Sequence, residues 1–486
     1  RIRNDEFATG GRLISTPISK AAPLKSPYES TNPWSFAALR SDGSVVSWGE
    51  AESGSDSSSV DFDGPDNNLT TSQVFSNEHG FAALRSDGSV ISWWGSAEFG
   101  GDSTSADFNR STNNLSISNI FSTSNAFAAL RSDGSVVSWG DPSQGGDSSS
   151  VDFDGPTNNL SVTRIFSTTS AFAALRSDGS VVSWGSSYGG DSSSVDFDGP
   201  ANNLTVSQIA PNFAAFAALR SDGSVVCWGE TSNGGDCSSV DFDGPANNRS
   251  VSKIFSNNWS FAALLSDGAV VTWGDLSHGG DSSSVDFDGP TNDLSVTQIF
   301  STDGAFAALR SDGSVVTWGD ARLGGDSSTI DFDGPANNLS VSQIFSSLYA
   351  FAALRSDGSV VTWGDTRLGG DSNTIDFDGT ANNLSVSQIF SNLYAFSALR
   401  SDGSVVTWGL SGHGGDSSAV DFDGPANNLS ISNIFSTINA FSALRSDGSI
   451  VSWGLGAAGS ESGLVDFNGP ADNLQVVGLA DPFTDE

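Results

Sequence analysis

The chain has 486 residues, 57 of them acidic and 20 basic, for a net charge of −37. That balance excludes nucleic acid and anionic membrane surfaces as expected partners, because phosphate binding wants a basic patch, and it makes divalent cations the natural counter-species. Methionine is absent, so the chain reads as a processed or partial product, and no apolar run approaches the roughly 18 residues of a membrane span.

Residues 1–33, with Thr16-Pro17 and the stretch Pro23 to Pro27, read as an irregular N-terminal arm. From residue 34 to 486 one unit recurs ten times, marked by Trp-Gly at Trp48, Trp94, Trp139, Trp184, Trp228, Trp273, Trp318, Trp363, Trp408 and Trp453. A fixed period of about 45 residues means one supersecondary unit copied in series, each copy burying its apolar face on its neighbours. In the unit at 160–200, Leu160 to Phe166, Ala171 to Arg176 and Ser180 to Trp184 read as strands, with Val195 to Phe197 as a short fourth. Ser177-Asp178-Gly179 between two apolar runs is a hairpin turn, since Gly tolerates positive φ. Both faces of that hairpin are apolar, Phe172 and Ala174 on one side and Ala173 and Leu175 on the other. Each small sheet must therefore be covered on both sides, with Phe and Trp between sheets. At the C-terminus, residues 474–479 repeat a first strand whose own hairpin is missing, while the poor strand before Phe36 leaves a vacancy. Pairing of the two ends closes a ring. The alternatives are an open β-superhelix or a head-to-tail, strand-exchanged filament.

Four short strands per unit imply an all-β propeller of ten blades, above the usual range of about 4–8. The run Ala-Leu-Arg-Ser-Asp-Gly-Ser-Val-Val-Ser-Trp-Gly, followed by Gly-Gly, resembles the repeat of the regulator-of-chromosome-condensation superfamily, which includes a β-lactamase inhibitor protein and related bacterial propellers. Gly-Gly-Asp-Ser-Ser-Ser-Val-Asp-Phe-Asp-Gly-Pro also looks like repeats of marine cyanobacterial proteins. The resemblance implies a β-propeller; the family's nucleotide-exchange role rests on blade-specific loops that this acidic chain lacks.

Asp-x-Asp-Gly with a nearby Gly-Gly-Asp and Asn offers the oxygen set that Ca²⁺ takes, with Gly permitting the tight turn. In the third unit these are Asp147, Asp152, Asp154, Asn158 and Asn159. The matching pairs are Asp61/Asp63, Asp196/Asp198, Asp241/Asp243, Asp286/Asp288, Asp331/Asp333, Asp376/Asp378 and Asp421/Asp423. The same side chains also suit capping of their own turns. Cys227 and Cys237 replace hydroxyl residues of one and the same unit, which points to a disulfide and hence to an oxidising, extracellular or cell-surface compartment; two buried thiols are the alternative. Catalysis has little support, because the three histidines, His79, His278 and His413, lie in different units and no singular polar cluster accompanies them.

Variation concentrates in two patches, one after each Trp-Gly and one before each Phe-Ala-Ala. Variable loops on a uniform scaffold are where binding diversity sits, and Trp259, Tyr349 and Tyr394 are the expected anchors. The chain is accordingly expected to be a non-enzymatic extracellular structural or adhesive module, calcium-stabilised, meeting a protein, a surface glycan or further copies of itself. A soluble binding or inhibitor propeller using one loop face is the alternative, and a propeller lyase a third.

Overall fold

The computed structural model describes Asn32, Val476–Leu479 and residues 34–456 apart from 51–52, 65, 67, 94–95, 105, 109–114, 156–158, 202, 244–248, 290–292, 335–337, 380–382 and 425–428. These residues form ten antiparallel three-stranded sheets, one per repeat, numbered here as blades 1 to 10.

Blade 4 shows how the sequence builds each one. Its strands are Val162–Ser167, Ala171–Arg176 and Val181–Gly185. Phe172 lies opposite Trp184, and Ala174 opposite both Ile165 and Val182. Register is fixed by the turn between the second and third strands. Gly179 takes φ 82°, and the Asp178 carboxylate accepts the N–H and the hydroxyl of Ser180 at 2.9 and 2.7 Å. The first strand bulges at Thr163, whose hydroxyl turns back onto the Leu175 carbonyl at 3.1 Å.

No fourth strand forms at 195–197. The Val195 N–H instead closes a turn onto the Ser192 carbonyl, and the Ser192 hydroxyl accepts the Ser183 N–H of the third strand at 3.2 Å. A loop side chain thus shields the outer edge of the blade that a strand was expected to cover. A second correction concerns blade 2. Counted from the hairpin glycine, Trp93 and not Trp94 takes the strand position: it pairs with Phe81 and stacks on it at 5.3 Å, whereas Trp94 lies outside the described residues.

Both faces of each hairpin are buried as their composition requires. Phe172, Ala174 and Trp184 pack on Ala126, Ala128 and Leu130 of blade 3, while Ala171, Ala173 and Val181 meet Phe216 and Trp228 of blade 5. The alanines admit the large rings of the next sheet. Phe153, from the loop between blades, meets Trp184 edge-on at 5.1 Å, and the indole Nε1–H donates to the Gly145 carbonyl at 3.0 Å.

The chain ends meet. Val476–Leu479 pairs antiparallel with Ser35–Arg40, Ala38 opposite Leu479, inside the expected span 474–479, whose first two residues lie outside the described ones. Phe36, Ala38 and Trp48 of blade 1 pack with Ala440 and Ile450 of blade 10. Of the expected arm only Asn32 is described, and it already belongs to blade 1: its side-chain oxygen accepts the N–H groups of Trp34 and Ser35.

Candidate functional site: the turn face

The two variable patches, far apart within each repeat, come together in space. In every blade but the second, whose Trp-Gly lies outside the described residues, the backbone N–H just after Trp-Gly donates to the carbonyl just before the second strand: Asp275 to Trp259, Asp365 to Tyr349 and Leu410 to Tyr394, each at 3.0 Å. A buried polar side chain pins each turn from within. In blade 6 the Asn257 oxygen accepts Trp259 and Ser260 N–H, both at 2.8 Å, and its amide donates to the His278 carbonyl at 2.7 Å. Thr123, Asn212, Thr302 and Asn392 make the matching bond to the loop in their blades.

Neighbouring turns are also tied to one another. Ser124 N–H donates to Thr169 O, Thr169 to Phe213, Asn258 to Asp303, Asp303 to Leu348 and Leu393 to Ile438. The diversity of both patches is thereby displayed on one braced face, built on rigid sheets.

The expected anchors Trp259, Tyr349 and Tyr394 lie on this face but are half-buried, in two separate aromatic groups. Trp259 stacks between Phe213 (6.0 Å) and His278 (5.3 Å) and donates Nε1–H to Asp303 at 3.3 Å. Tyr349 stacks on Tyr394 at 5.7 Å, and Tyr394 meets His413 at 4.8 Å. Sequence reasoning misses the most exposed apolar residues of the face, Tyr188, Phe213 and Leu276. The signal that could find them is that each is a singular large residue inside one of the two variable patches.

The acidic motif lies elsewhere, in the loops between blades. Most of the Asp residues there have a defined structural task. Asp152, Asp196 and Asp286 accept the N–H of the glycine three residues on, at 2.8 Å. Asp147 caps Ser149. The carbonyls of Asp63, Asp154, Asp198, Asp333 and Asp378 each accept two N–H groups that close the following turn, and those of Asp243, Asp288 and Asp423 accept the N–H of Arg249, Leu294 and Leu429. The first Asp of the motif also takes the arginine of Phe-Ala-Ala-Leu-Arg: Arg85, Arg176, Arg310, Arg355, Arg400 and Arg445 donate to the carbonyls of Asp61, Asp152, Asp286, Asp331, Asp376 and Asp421. The motif therefore fastens one blade to the next. Blade 6 departs from this pattern: Leu265 replaces the arginine, and Arg249, standing where other repeats have Leu, pairs with Asp267 at 2.7 Å.

Among the described residues no three His, Cys, Asp or Glu side chains converge on one point, and Asn158 lies outside them. Asp147 and Asp191, in Gly-Gly-Asp-Ser turns, are held below the ordinary carboxylate value of 3.8 by the hydroxyl and N–H of the Ser two residues on. At Asp222 and Asp357, in hairpin turns, burial pushes upward but the serine bonds prevail and lower the value. A depressed folded-state pKa stabilises the fold above the unfolded value and is lost as pH falls through the folded one. Melting temperature is therefore expected to hold as pH falls from 7 toward 4 and to drop only below 3.8. A scanning calorimetry series over pH checks this, and a steep fall already near pH 6 contradicts it.

Cys227 and Cys237 form a disulfide, with Cα atoms 5.7 Å apart. Its place in the repeat explains it. In blades 6 to 9 the equivalent residues clasp the loop to the third strand through paired hydroxyls, Thr272–Ser282, Thr317–Ser327, Thr362–Ser372 and Thr407–Ser417, each at 3.0 Å. The covalent bond does in blade 5 what a hydrogen bond does in those blades. The double variant C227T/C237S, which installs that hydroxyl pair, is expected to keep the fold and cost at most about 3 kcal/mol, the closure entropy of a short loop. Urea titration measures it, and loss of the fold would contradict it.

No family model matches the chain, and no curated protein matches it. Among solved structures, yeast RCC1 (Prp20) bound to Kap60 is 16% identical over 81% of this chain and 96% of its own, with a TM-score of 0.37. Human WBSCR16 is 20% identical over 49% and 74%, at 0.32. The computationally designed Ika8 protein is 16% identical over 70% and 96%, at 0.33. These scores are low, and the reading of the chain as a β-propeller of regulator-of-chromosome-condensation-like repeats rests on its own ten antiparallel blades and their Asp-Gly, Trp-Gly motif.

Proposed function

We propose that this chain is a non-enzymatic extracellular adhesive propeller, closed into a ring, that binds a protein through its turn face. The observation that carries the reading is the convergence of both variable patches on that one face while the blades themselves repeat. The disulfide supports an oxidising compartment. Ring closure is supported by the pairing of Ala38 with Leu479 and by the shared core of blades 1 and 10. A strand-exchanged filament would have to give up that internal pairing. The lyase reading finds no support in the polar cleft at blade 1, since its lining residues Arg40, Asp42, Ser44 and Asp63 belong to the repeated motif.

The binding reading is tested by grafting: exchanging the turns 257–259, 347–349 and 392–394 for the Thr-Thr-Ser of blade 4 should abolish adhesion to a protein-coated surface while the protein still folds. Undiminished adhesion would refute it. Calcium would use carboxylate oxygens that the loops leave over. A melting temperature raised by millimolar calcium and restored by chelator supports the metal; coincident melts remove it.

A further inference from the structure

The turn face is not evenly furnished. Among the described residues four large apolar side chains are exposed, Trp34, Tyr188, Phe213 and Leu276, and three of them fall in the consecutive blades 4, 5 and 6. Backbone bonds connect these three into one surface. The Tyr188 N–H donates to the Ser186 hydroxyl, and Ser186 N–H donates to Ser170 O. The turn at Ser170 is tied through Thr169 to the Phe213 carbonyl, at 3.4 Å from the N–H and 2.8 Å from the hydroxyl. Phe213 stacks on Trp259, whose carbonyl receives Asp275 N–H, and Leu276 follows. The exposures are 54% for Tyr188, 38% for Phe213 and 72% for Leu276. Apolar residues this exposed, on neighbouring blades and seated on a braced backbone, mark an interaction surface.

Charge narrows what can lie there. Asp303 sits beside Trp259, accepting its indole N–H and the Asn258 amide, and Asp275 caps the turn that carries Leu276. The ledge is thus flanked by two carboxylates on a chain of net charge −37. The basic residues on the first strands of these blades, Arg164 and Lys253, lie over the rings of Phe166 and Phe255. The Trp259 ring is already engaged by the protein itself, stacked on Phe213 and met at a tilt by His278 5.3 Å away.

Resting on the protein-binding reading above, we propose that Tyr188, Phe213, Trp259 and Leu276 form a docking ledge on blades 4 to 6 for a basic protein segment, whose apolar side chains cover the rings and whose Arg or Lys groups meet Asp275 and Asp303. Cationic partners are favoured by the local carboxylates and by the field of the whole chain.

The test uses the intact protein and three probes: a synthetic peptide alternating Arg with Leu and Tyr, its Glu-for-Arg counterpart, and a neutral oligosaccharide. Calorimetry should detect the basic peptide alone. Y188S/L276S, which alters only exposed side chains, should weaken it tenfold or more with the melting temperature unchanged, and D275N/D303N should weaken it and flatten its salt dependence. Absence of peptide binding, equal binding of either other probe, or binding indifferent to Y188S/L276S overturns the ledge. Y349A/Y394A separates the two proposals. If that variant loses the peptide while Y188S/L276S keeps it, the turn face binds but not at this ledge; if neither matters, both proposals fail.

Discussion

Trp363→Ala is expected to destabilise the protein by about 3–5 kcal/mol, the range for removing a fully buried large aromatic. The indole is 2% exposed and lies in the joint between blades 7 and 8. It stacks on Phe351 at 5.1 Å, meets Phe332 edge-on at 5.1 Å, and donates its N–H to the buried Gly324 carbonyl at 3.1 Å. Substitution removes two aromatic contacts and strands an acceptor, so a cavity and an unsatisfied carbonyl appear together. Trp363→Phe keeps much of the volume and loses the hydrogen bond, so it should cost less, on the order of 1–3 kcal/mol. In a repeat array stability is a sum of blade and nearest-neighbour terms, so the loss should be felt first in blades 7 and 8. Hydrogen exchange resolved by peptide, alongside urea unfolding, checks both magnitude and place. A loss under about 1 kcal/mol would mean that the joint is not the source of cohesion.

Gly324→Ala tests the same joint from the backbone side and should be nearly as severe. Gly324 holds φ +99°, and a methyl group there would meet the Phe351 ring at 2.6 and 2.8 Å. The left-handed backbone costs a non-glycine residue about 1–2 kcal/mol. Forcing the ring aside in a packed interior adds about 1–3 kcal/mol. By contrast, Gly412, in a loop of blade 9 where an added Cβ meets nothing within 4 Å, should accept Ala with little change. Equal tolerance at the two positions, read by thermal melts, would contradict the packing described for the joint.

Much of this architecture is legible in the chain itself. Asp-Gly between two apolar runs sets the hairpin register, and the doubly apolar strand Phe172-Ala173-Ala174-Leu175 requires neighbours on both sides. The paired change at Cys227 and Cys237 points to a bond because both residues sit in one repeat. What stays hidden depends on contacts distant in sequence. The Asp-Phe-Asp motif does not announce that the carbonyl of its first Asp takes an arginine of the next blade, 24 residues on. Strand composition alone does not show that Val195 to Phe197 is bent into a turn by its own hydrogen bond to Ser192. The Trp-Gly motif selects Trp94, and only counting from the hairpin glycine points to Trp93. The two variable patches are visible, but their union on one face needs the bond from Asp275 to Trp259 and its counterparts, which no local pattern encodes.

Ring closure within one chain is decided by electron microscopy of the purified protein, with light scattering to count chains per particle. Single chains should appear as closed rings of ten blades, the last strand completing the first blade. Open arcs, or rods whose length grows with concentration, would contradict that closure and the single turn face built on it.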